Sequence, residues 1–337
     1  MRFGRTLTIA WAVAAALAGT SVAPAMAQGT KLVLGLPGVP PIFSTVVAYV
    51  AEKEGFFKKY GADVVLRNFD TGTAAARAVA AGDADMSISP TPLVVNQVSN
   101  AGVPLVAVYG FPNPDFVLGT TDAKKASCAD VKGQTVGVDT PGGARSIALK
   151  EMLIGCHMTM SEVQEVGLGS NTAPAMIAGQ IHYGVLHLDD IPAIEAHGKT
   201  VTIVTTLAKA APTSHYLVGV LRRDRLAQKR DAVVRLVAGL ISAGRYMSDP
   251  KNADSVAQIA TVTGHDAAQA KAALKRFVAM GFWAVNDDGL ARNKIEAVVA
   301  TQKKIGNIKP GKTPPTYDAL VDQSVWRDAN AMVSHGK

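Results

Sequence analysis

The sequence predicts an α/β protein with two similar halves. Short apolar runs that read as strands alternate with longer runs of helical spacing, a pattern typical of mostly parallel sheets with helices on both faces. A loop, an Ala-rich helix, a Gly turn and a short strand occur over 69–92, and a weaker copy follows over 167–190. Placing Gly82 on Gly179 aligns the copies, with a helix nearly one turn shorter in the second. We therefore expect two lobes; chance recurrence of a common combination is the alternative.

The first half opens with a strand and a Pro-rich loop that cannot be helical. Apolar residues at helical spacing follow, and Gly61 stops that helix. A second helix starts after Thr71 and ends at Gly82, which suits a left-handed C-cap. The predicted strands are 31–36, 62–67, 86–89 and 105–109, and the predicted helices are 42–60, the run ending at Ala81, and 92–101.

The second half repeats the alternation and then becomes helical. Its predicted elements are a short helix at 128–132, strands at 134–139 and 163–166, helices at 144–154 and 173–178, and β-rich runs at 201–205 and 214–221. Helices are then predicted at 232–247, 254–263, 267–280, 290–305 and 317–334, with Gly and Pro between them. We expect these to pack on the first lobe, since no linker sets them apart as a separate helical domain.

The start of the chain has the pattern of an export signal. Arg2 and Arg5 precede an apolar run at 7–17, and small residues lead to Ala27. We expect a signal peptide over 1–27, cleaved after Ala27, and a protein located in the periplasm, with no Cys near the cut to carry a lipid. No later apolar run is long enough to cross a bilayer.

Composition narrows the partners. The formal net charge is +7, but Lys and Arg form no dense block with interleaved aromatics, so we expect no nucleic-acid partner and mildly favour an anionic small ligand. The two cysteines of an exported chain suggest one disulfide. Cys128 precedes a predicted strand and Cys156 ends the helix that returns from it, so both lie at the same edge of one lobe.

Four segments together resemble a known family. They are GFFKKYGADV at 55–64, AGDAD at 81–85, DVKGQTVGV at 130–138 and AGQ at 178–180. Their order and spacing are similar to those of the NMT1/THI5-like solute-binding proteins of ABC importers for nitrate, sulfonates, taurine and thiamine precursors. The resemblance covers essentially the whole mature chain. The sequence departs from the family pattern at His182, where family members often have an acidic residue.

The resemblance implies a type II periplasmic-binding-protein fold with a ligand held in a cleft between two lobes. Crossover strands are then expected near 116–119 and 215–218, and the helical C-terminal part rejoins lobe 1. We expect lobe 1 to comprise 28–117 and 216–337, and lobe 2 to comprise 118–215. Hinge motion would close the lobes on the ligand.

Ligand contacts in such a fold come from loops at the carboxyl ends of strands and from helix N-termini. The loop over 140–146 is the strongest anion candidate. Its glycines allow close backbone approach, successive amides could form an anion-binding nest, and Arg145 could add a charged fork. The alternative is a Gly-rich helix start with Arg145 in solvent.

Other candidates are aromatic or polar residues at predicted loop positions. Phe43, Tyr109 and Phe111 could enclose an apolar ligand body, and Tyr216 could supply a hydroxyl, although Phe43 serves equally well as a core anchor. The full set of candidate ligand-binding residues is Phe43, Thr71, Thr73, Ser89, Thr91, Tyr109, Phe111, Thr140, Gly142, Gly143, Arg145, Asn171, His187, Asp189 and Tyr216.

The histidines do not indicate a metal site. His182 and His187 are an odd number of residues apart on a predicted strand, so they should point to opposite faces. His187, near Asp189, could orient a polar ligand group or be a structural histidine. The remaining histidines in turns or tails, at 157, 197, 265 and 335, are expected in solvent.

We therefore expect the substrate-binding component of an ABC importer that captures a small organic anion, either a sulfonate or an aromatic or aliphatic carboxylate. Its partner would be a membrane permease, the protein would be a monomer, and no metal or cofactor is implied. One alternative is a THI5-like or desulfinase-like enzyme, but the cysteines are predicted away from the cleft. Another is a sensor that presents its ligand to a signalling receptor.

Overall fold

The structure, a computed structural model, describes Met1 and residues 30–335, so the predicted signal peptide, apart from Met1, lies outside the described part of the chain. It contains two five-stranded sheets with helices on both sides. The first sheet comprises β1 (Lys31–Pro37), β2 (Asp63–Phe69), β3 (Met86–Pro90), β4 (Leu105–Phe111) and β10 (Leu217–Arg222). The second comprises β5 (Val117–Thr120), β6 (Thr135–Val138), β7 (Gln164–Gly167), β8 (Tyr183–Leu186) and β9 (Thr202–Thr206).

Both sheets have the same arrangement. The strand order is β2-β1-β3-β10-β4 in the first and β7-β6-β8-β5-β9 in the second. In each sheet two of the four pairings are parallel and two are antiparallel. The sheets thus contain more antiparallel pairing than predicted. The chain passes from the first sheet into β5 of the second, and later returns from the second sheet into β10 of the first. Each of these two strands is antiparallel to both of its neighbours.

The helices complete two α/β lobes and a helical C-terminal part. Beside the first sheet lie α1 (Val46–Lys53), α2 (Phe56–Lys59), α3 (Gly72–Ala81) and α4 (Thr91–Ala101). Beside the second lie α5 (Ala144–Gly155), α6 (Thr172–Ile177), α7 (Asp190–Ala196) and α8 (Leu207–Ala210). The C-terminal part comprises α9 (Arg223–Ser248), α10 (Ala253–Ala260), α11 (Ala267–Ala279), α12 (Arg292–Lys304), α13 (Tyr317–Leu320) and α14 (Gln323–His335).

The C-terminal helices belong to the first lobe, as predicted. Helix α9 packs on α1, α2 and α14, and α12 packs on α4. Much of α9 is buried, including Val233, Leu236 and Leu240, so this long helix forms part of the core of the first lobe. Helix α11 also contacts α7 of the second lobe.

The repeated unit has the predicted local structure in both lobes. Thr71 caps α3 by accepting a hydrogen bond from the Ala74 amide at 3.1 Å, and Gly82 ends the helix at φ +88°. Helix α6 is six residues long against ten in α3, and Gly179 follows it at φ +73°. The strand after each turn, β3 or β8, occupies the middle of its sheet. The aligned patterns therefore mark equivalent positions in the two lobes.

Several predicted elements were wrong in extent. The helix predicted over 42–60 is interrupted at Gly55, which has a φ of +73° that favours glycine. The loop predicted to begin at Tyr109 is strand, because β4 continues to Phe111. The last predicted helix is split between α13 and α14, since Val321 is extended and forms a bridge to β4.

Cys128 and Cys156 form a disulfide, with their Cα atoms 5.6 Å apart. It ties the short 3₁₀ helix Cys128–Val131, which precedes β6, to the end of α5 in the second lobe. Within the described part of the chain, no helix has the length and apolar character required to span a membrane.

Candidate ligand-binding cleft

Two adjoining cavities lie between the sheets, at the carboxyl ends of their parallel strands. The first encloses about 410 Å³ and the second about 800 Å³ of space not filled by protein atoms, part of it open to solvent. They share the side chains of Ile42, Arg145, Ser170 and His187. Because loops from both lobes supply the walls, the cavities form one interlobe cleft.

The two chain segments that pass between the sheets form an aromatic wall of the cleft. Phe116 lies in the first crossover and Tyr216 in the second, with their ring centroids 4.8 Å apart. The ring of His187 lies 4.7 Å from that of Phe116. All three side chains line the first cavity and are almost fully buried. This wall offers an apolar surface to the carbon part of a ligand.

Arg145 contributes a guanidinium group to the wall of the cleft. One of its nitrogens donates to the carbonyl of Val185 at 2.7 Å and lies 3.1 Å from a carboxylate oxygen of Asp190. The residue is 6% exposed. Burial opposes the charged form, but the nearby carboxylates of Asp190 and Asp139 outweigh it and raise the pKa of Arg145. Arg145 is therefore a buried, charged wall residue and not a solvated one.

The Gly-rich loop before α5 does not offer an open nest of amides. Asp139 accepts hydrogen bonds from the amides of Ala144 and Arg145, at 3.0 and 3.1 Å. The Gly142 amide donates to the Ser146 hydroxyl at 2.9 Å. A Cβ on Gly143 would lie 2.7 Å from the Asp139 carboxylate oxygens, so glycine is required there. Asp139 thus occupies the helix N-terminus where the sequence suggested an anion.

His187, which is part of the aromatic wall, forms a buried pair with Asp115. The Nδ1 atom of His187 lies 2.9 Å from one Asp115 carboxylate oxygen, and the Tyr216 hydroxyl lies 3.5 Å from the same nitrogen. Burial lowers the pKa of His187, but Asp115 more than compensates and the net shift is upward. Burial also raises the pKa of Tyr216 well above its usual value, so its hydroxyl stays protonated.

Two polar contacts close the cleft from opposite lobes. The Nε2 atom of His265, ahead of α11, lies 3.1 Å from a carboxylate oxygen of Asp189, which precedes α7. The Ser170 hydroxyl donates to the Asp70 carbonyl at 3.4 Å. His265 was expected in solvent, and this was wrong, since the fold places it against a carboxylate 76 residues away in sequence. Burial lowers the pKa of His265, but Asp189 reverses the shift and raises it.

Several predicted residues line the cleft. Thr71, Arg145, His187 and Tyr216 line the first cavity, and Arg145, Asn171, His187 and Asp189 line the second. Thr73 lies in the first turn of α3, and Thr140, Gly142 and Gly143 lie in the loop before α5, but none of the four forms a wall of either cavity. The loops over 69–73 and 140–146 therefore reach the site, but through fewer of their residues than expected.

Other predicted residues lie in the core. Tyr109 and Phe111 are on β4 with no exposed surface, and the Tyr109 hydroxyl donates to the Ala284 carbonyl. Phe43 is fully buried and packs on Phe277, with ring centroids 5.0 Å apart. It is therefore a core anchor, which was the alternative role considered for it. The hydroxyls of Ser89 and Ser87 lie 2.6 Å apart inside the sheet. None of these side chains lines either cleft cavity.

Thr91 is also directed away from the cleft. Its hydroxyl lies 2.8 Å from Nδ1 of His215, whose Nε2 lies 2.6 Å from the Gly289 carbonyl. Because a carbonyl only accepts, Nε2 carries the proton and Nδ1 accepts from Thr91. Burial lowers the pKa of His215 to about 4, which keeps this ring neutral. The contact fixes the second crossover to the first lobe.

Sequence reasoning did not single out several wall residues, among them Ile42, Asp70, Phe116, Ser170, Asp139, Asp190 and His265. The first four fall in loops or a crossover that the sequence did place at the cleft. To choose these individual residues, one would need the directions of their side chains, which the sequence alone does not give. No local signal marks His265.

His182 and His187 flank β8. Within the described residues, no group of three or more His, Cys, Asp or Glu side chains is arranged to hold a metal ion.

Comparisons with known proteins agree with this architecture. Residues 43–253 match the sequence model of a family described as NMT1/THI5 like. A Haemophilus influenzae protein named for thiamine biosynthesis is 28% identical over 134 residues, which are 39% of this chain and 42% of that protein. That match therefore spans less than half of the relative's length.

Solved structures share the fold over most of both chains. The periplasmic nitrate-binding protein of Synechocystis PCC 6803 has a TM-score of 0.75 at 14% identity, covering 91% of this chain and 89% of that one. The alkanesulfonate-binding protein of Xanthomonas axonopodis pv. citri, bound to MOPS, has a TM-score of 0.73 at 16% identity, covering 88% and 99%. A desulfurization enzyme has a TM-score of 0.59 at 14% identity, covering 90% and 99%. The predicted periplasmic-binding-protein fold is confirmed.

Proposed function

This chain belongs to the NMT1/THI5-like family, and we propose that it is the substrate-binding component of an ABC importer. It is exported to the periplasm, captures a small organic solute between its lobes and delivers it to a membrane permease as a monomer. The solute carries an anionic group, a carboxylate or sulfonate. The family match, the interlobe cleft and the binding proteins among the similar structures support this function.

The observation that carries the proposal is the set of buried ionisable side chains in the cleft walls. Arg145, His187 and Asp189 are each 5–6% exposed, although charged groups are costly to remove from water. Arg145 lies in the first turn of α5, His187 and Asp189 lie in the loop between β8 and α7, and all three face loops of the first lobe. Such residues in a cleft are typical of a recognition site.

Arg145 and His187 are the positive groups for the anionic end of the solute. The pKa of each is raised by neighbouring carboxylates despite burial, so both favour the charged form. The aromatic wall of Phe116 and Tyr216 would pack on the carbon skeleton. Lobe closure would remove both parts of the solute from water.

Native mass spectrometry of protein purified from the periplasm tests the proposal. We expect a co-purified solute, or, after its removal by partial unfolding and refolding, a thermal upshift with members of an organic-anion panel. Phe116→Ala should weaken that shift, whereas Phe56→Ala, a change of the same type outside the cleft, should leave it unchanged. A protein that neither carries nor binds any organic solute would contradict the proposed function.

The desulfinase-like alternative lacks a thiolate nucleophile. Such a reaction would need a thiolate in the cleft. The chain has two cysteines, and both form the disulfide between the segment ahead of β6 and the end of α5. Turnover of a sulfinate by the purified protein would nevertheless favour that alternative over transport.

A further inference from the structure

The two ring nitrogens of His187 have different surroundings. Nδ1 lies 2.9 Å from a carboxylate oxygen of Asp115, whose side chain is fully buried. A carboxylate accepts hydrogen bonds but donates none, so Nδ1 carries the proton of this contact. The Tyr216 hydroxyl is farther from the same nitrogen, at 3.5 Å. Asp115 thereby fixes the orientation of the ring, and in the neutral ring Nε2 is the nitrogen with the free lone pair.

The Nε2 atom of His187 is the ring nitrogen available to a solute. It makes no hydrogen bond among the described residues, yet it is not one of the unpaired side-chain atoms that are fully buried, so it keeps accessible surface. His187 lines both cavities, and so does Arg145. Within the described residues, Arg145 uses one guanidinium nitrogen for its contacts with Val185 and Asp190. An anionic group can therefore lie against the free nitrogens of both side chains.

The charges around His187 are balanced so that a bound anion would change its protonation. Burial lowers the pKa of His187 and Arg145 opposes the proton as well, but Asp115 and Asp189 favour it and the net shift is upward. An anion beside Nε2 adds one more negative neighbour, and it would be repelled by the lone pair of the neutral ring. The other ionisable side chains that line the cavities are Asp70, Asp139, Asp190, Tyr216 and His265.

We propose that Asp115 is a positioning residue that directs Nε2 of His187 to the anionic group of the solute, and that solute binding takes up one proton from water at this atom. This inference rests on the proposed binding function and adds a regulation of the same site. Because the bound anion favours the protonated ring, the pKa of His187 is higher in the bound state than in the empty cleft. Affinity is then greatest below the pKa of the empty cleft and falls by up to about tenfold per pH unit above it, until the pKa of the bound state is passed.

NMR of the imidazole nitrogens tests the positioning without any solute. In isotope-labelled mature protein, the signals of His187 are assigned by their loss in His187→Gln, and the neutral ring should carry its proton on Nδ1. Asp115→Leu, which removes the acceptor, should abolish this preference. Asp115→Asn, which keeps an acceptor but loses the charge, should retain it and let the ring titrate at lower pH. Asp231→Asn, at an exposed carboxylate on α9, should change neither property.

Isothermal titration calorimetry measures the proton taken up on binding. The probes are 1-butanesulfonate and benzenesulfonate, which stay ionised throughout, and any solute that co-purifies. Titration near pH 7.5 in Tris and in triethanolamine, which differ in ionisation enthalpy and add no anionic buffer, should give different binding enthalpies, of the sign expected for proton uptake. In the His265→Gln background, which removes the imidazole of the Asp189 contact, uptake should persist. Adding His187→Gln should remove it, and Asp115→Asn should weaken binding about tenfold at this pH.

The possible outcomes separate this inference from the proposed function. A neutral wild-type ring with its proton on Nε2 would overturn the positioning role of Asp115. Solute binding without proton uptake in the His265→Gln background, or uptake that survives the added His187→Gln, would overturn the coupling while leaving the proposed function intact. Absence of binding to both probes, together with no co-purified solute, would contradict the proposed function and this inference with it.

Discussion

At the scale of single residues, Arg145 has a structural role as well as a place in the site. Its side chain contacts Asp190 and the Val185 carbonyl in the interior of the second lobe. Removing one partner of a buried ion pair leaves an uncompensated charge, which costs roughly 3–5 kcal/mol. We therefore expect Arg145→Met to lower the free energy of unfolding by about that amount, measured by urea titration.

Two matched variants test this explanation. Arg230→Met removes the Arg of an exposed pair with Asp328 and should cost less than about 1 kcal/mol. Adding Asp190→Asn to Arg145→Met should recover part of the loss, because the uncompensated carboxylate is then removed as well. Equal costs for Arg145→Met and Arg230→Met would mean that burial of the Arg145 pair is unimportant for stability.

The individual residues also show where prediction from sequence stops. Tyr109 and Phe111 are two apart, so they point to the same face of β4, and that face is the core. The sequence marked them as aromatics beside a Pro-rich loop, which fits a cleft wall equally well. Asp189 and His265 meet only because α7 and α11 are neighbours in space. Pairings of this kind leave no local pattern to detect.

At the scale of secondary-structure elements, prediction was more successful. The unit of α3, Gly82 and β3 could be recognised because an N-cap, an Ala-rich run and a positive-φ glycine are local requirements. Its copy, α6 to β8, lies at the same position in the second sheet, which is why the aligned glycines were informative. Element ends failed where tertiary pairing decides them, as when Val321 bridges to β4 and divides a helix.

The disulfide joins two elements of the second lobe. Cys128 and Cys156 are 28 residues apart, and closing a loop of that length is worth about 3–4 kcal/mol in the chain-entropy model. Replacing both with Ala should therefore lower the urea midpoint of the protein. The variant should then unfold identically with and without reductant, whereas the wild type should lose stability on reduction. Alkylation of both thiols in unreduced wild-type protein would show that the bond does not form.

The contact between α5 and α12 contains a carboxylate with an unusual environment. Glu151 on α5 accepts a hydrogen bond from Gln302 on α12 at 3.2 Å, and the Ser214 hydroxyl lies 3.5 Å away. Burial outweighs these hydrogen bonds and raises the pKa of Glu151 to about 7. Since the folded state holds this proton more tightly than the unfolded state, the associated stability is complete below about pH 4.5 and is lost as pH rises towards 7.

Glu151→Gln should remove that loss. We expect the variant to match the wild type near pH 5 and to exceed it at pH 8 by roughly 2–3 kcal/mol, because one pKa unit corresponds to about 1.4 kcal/mol. Chemical denaturation across this pH range provides the measurement. Glu195→Gln changes an exposed carboxylate on α7 and should leave the pH dependence unaltered. Parallel curves for wild type and Glu151→Gln would argue against a proton on this carboxyl.

At the scale of the whole molecule, the two lobes have sheets with the same strand arrangement and face each other across a charged cleft. Side-chain contacts join them at separate places. Glu151 of the second lobe contacts Gln302 of the first, and in the cleft wall Asp189 contacts His265. The contact between Asp189 and His265 would be broken by opening of the cleft. The closed arrangement is therefore partly held by an interaction that depends on protonation.

His265 makes lobe closure sensitive to pH. Burial lowers the pKa of His265, but ionised Asp189 raises it above 6.5 overall, so the closed state binds the proton more tightly than an open one. The resulting stabilisation of closure is fully present below pH 6.5 and disappears as pH rises through the raised value. The solute found by native mass spectrometry should accordingly dissociate faster at pH 8.5 than at pH 6.

Replacing the imidazole tests this link between protonation and closure. His265→Gln should release solute about threefold to tenfold faster than the wild type at pH 6, as expected for a partly buried pair worth roughly 1 kcal/mol, and should show a flatter pH profile. Small-angle scattering should show a larger radius of gyration for the variant at pH 6. His197→Gln, at the exposed histidine that follows α7, should behave like the wild type. An unchanged pH profile in His265→Gln would place the pH dependence elsewhere, and His187 with its partner Asp115 is another histidine–carboxylate pair at the cleft.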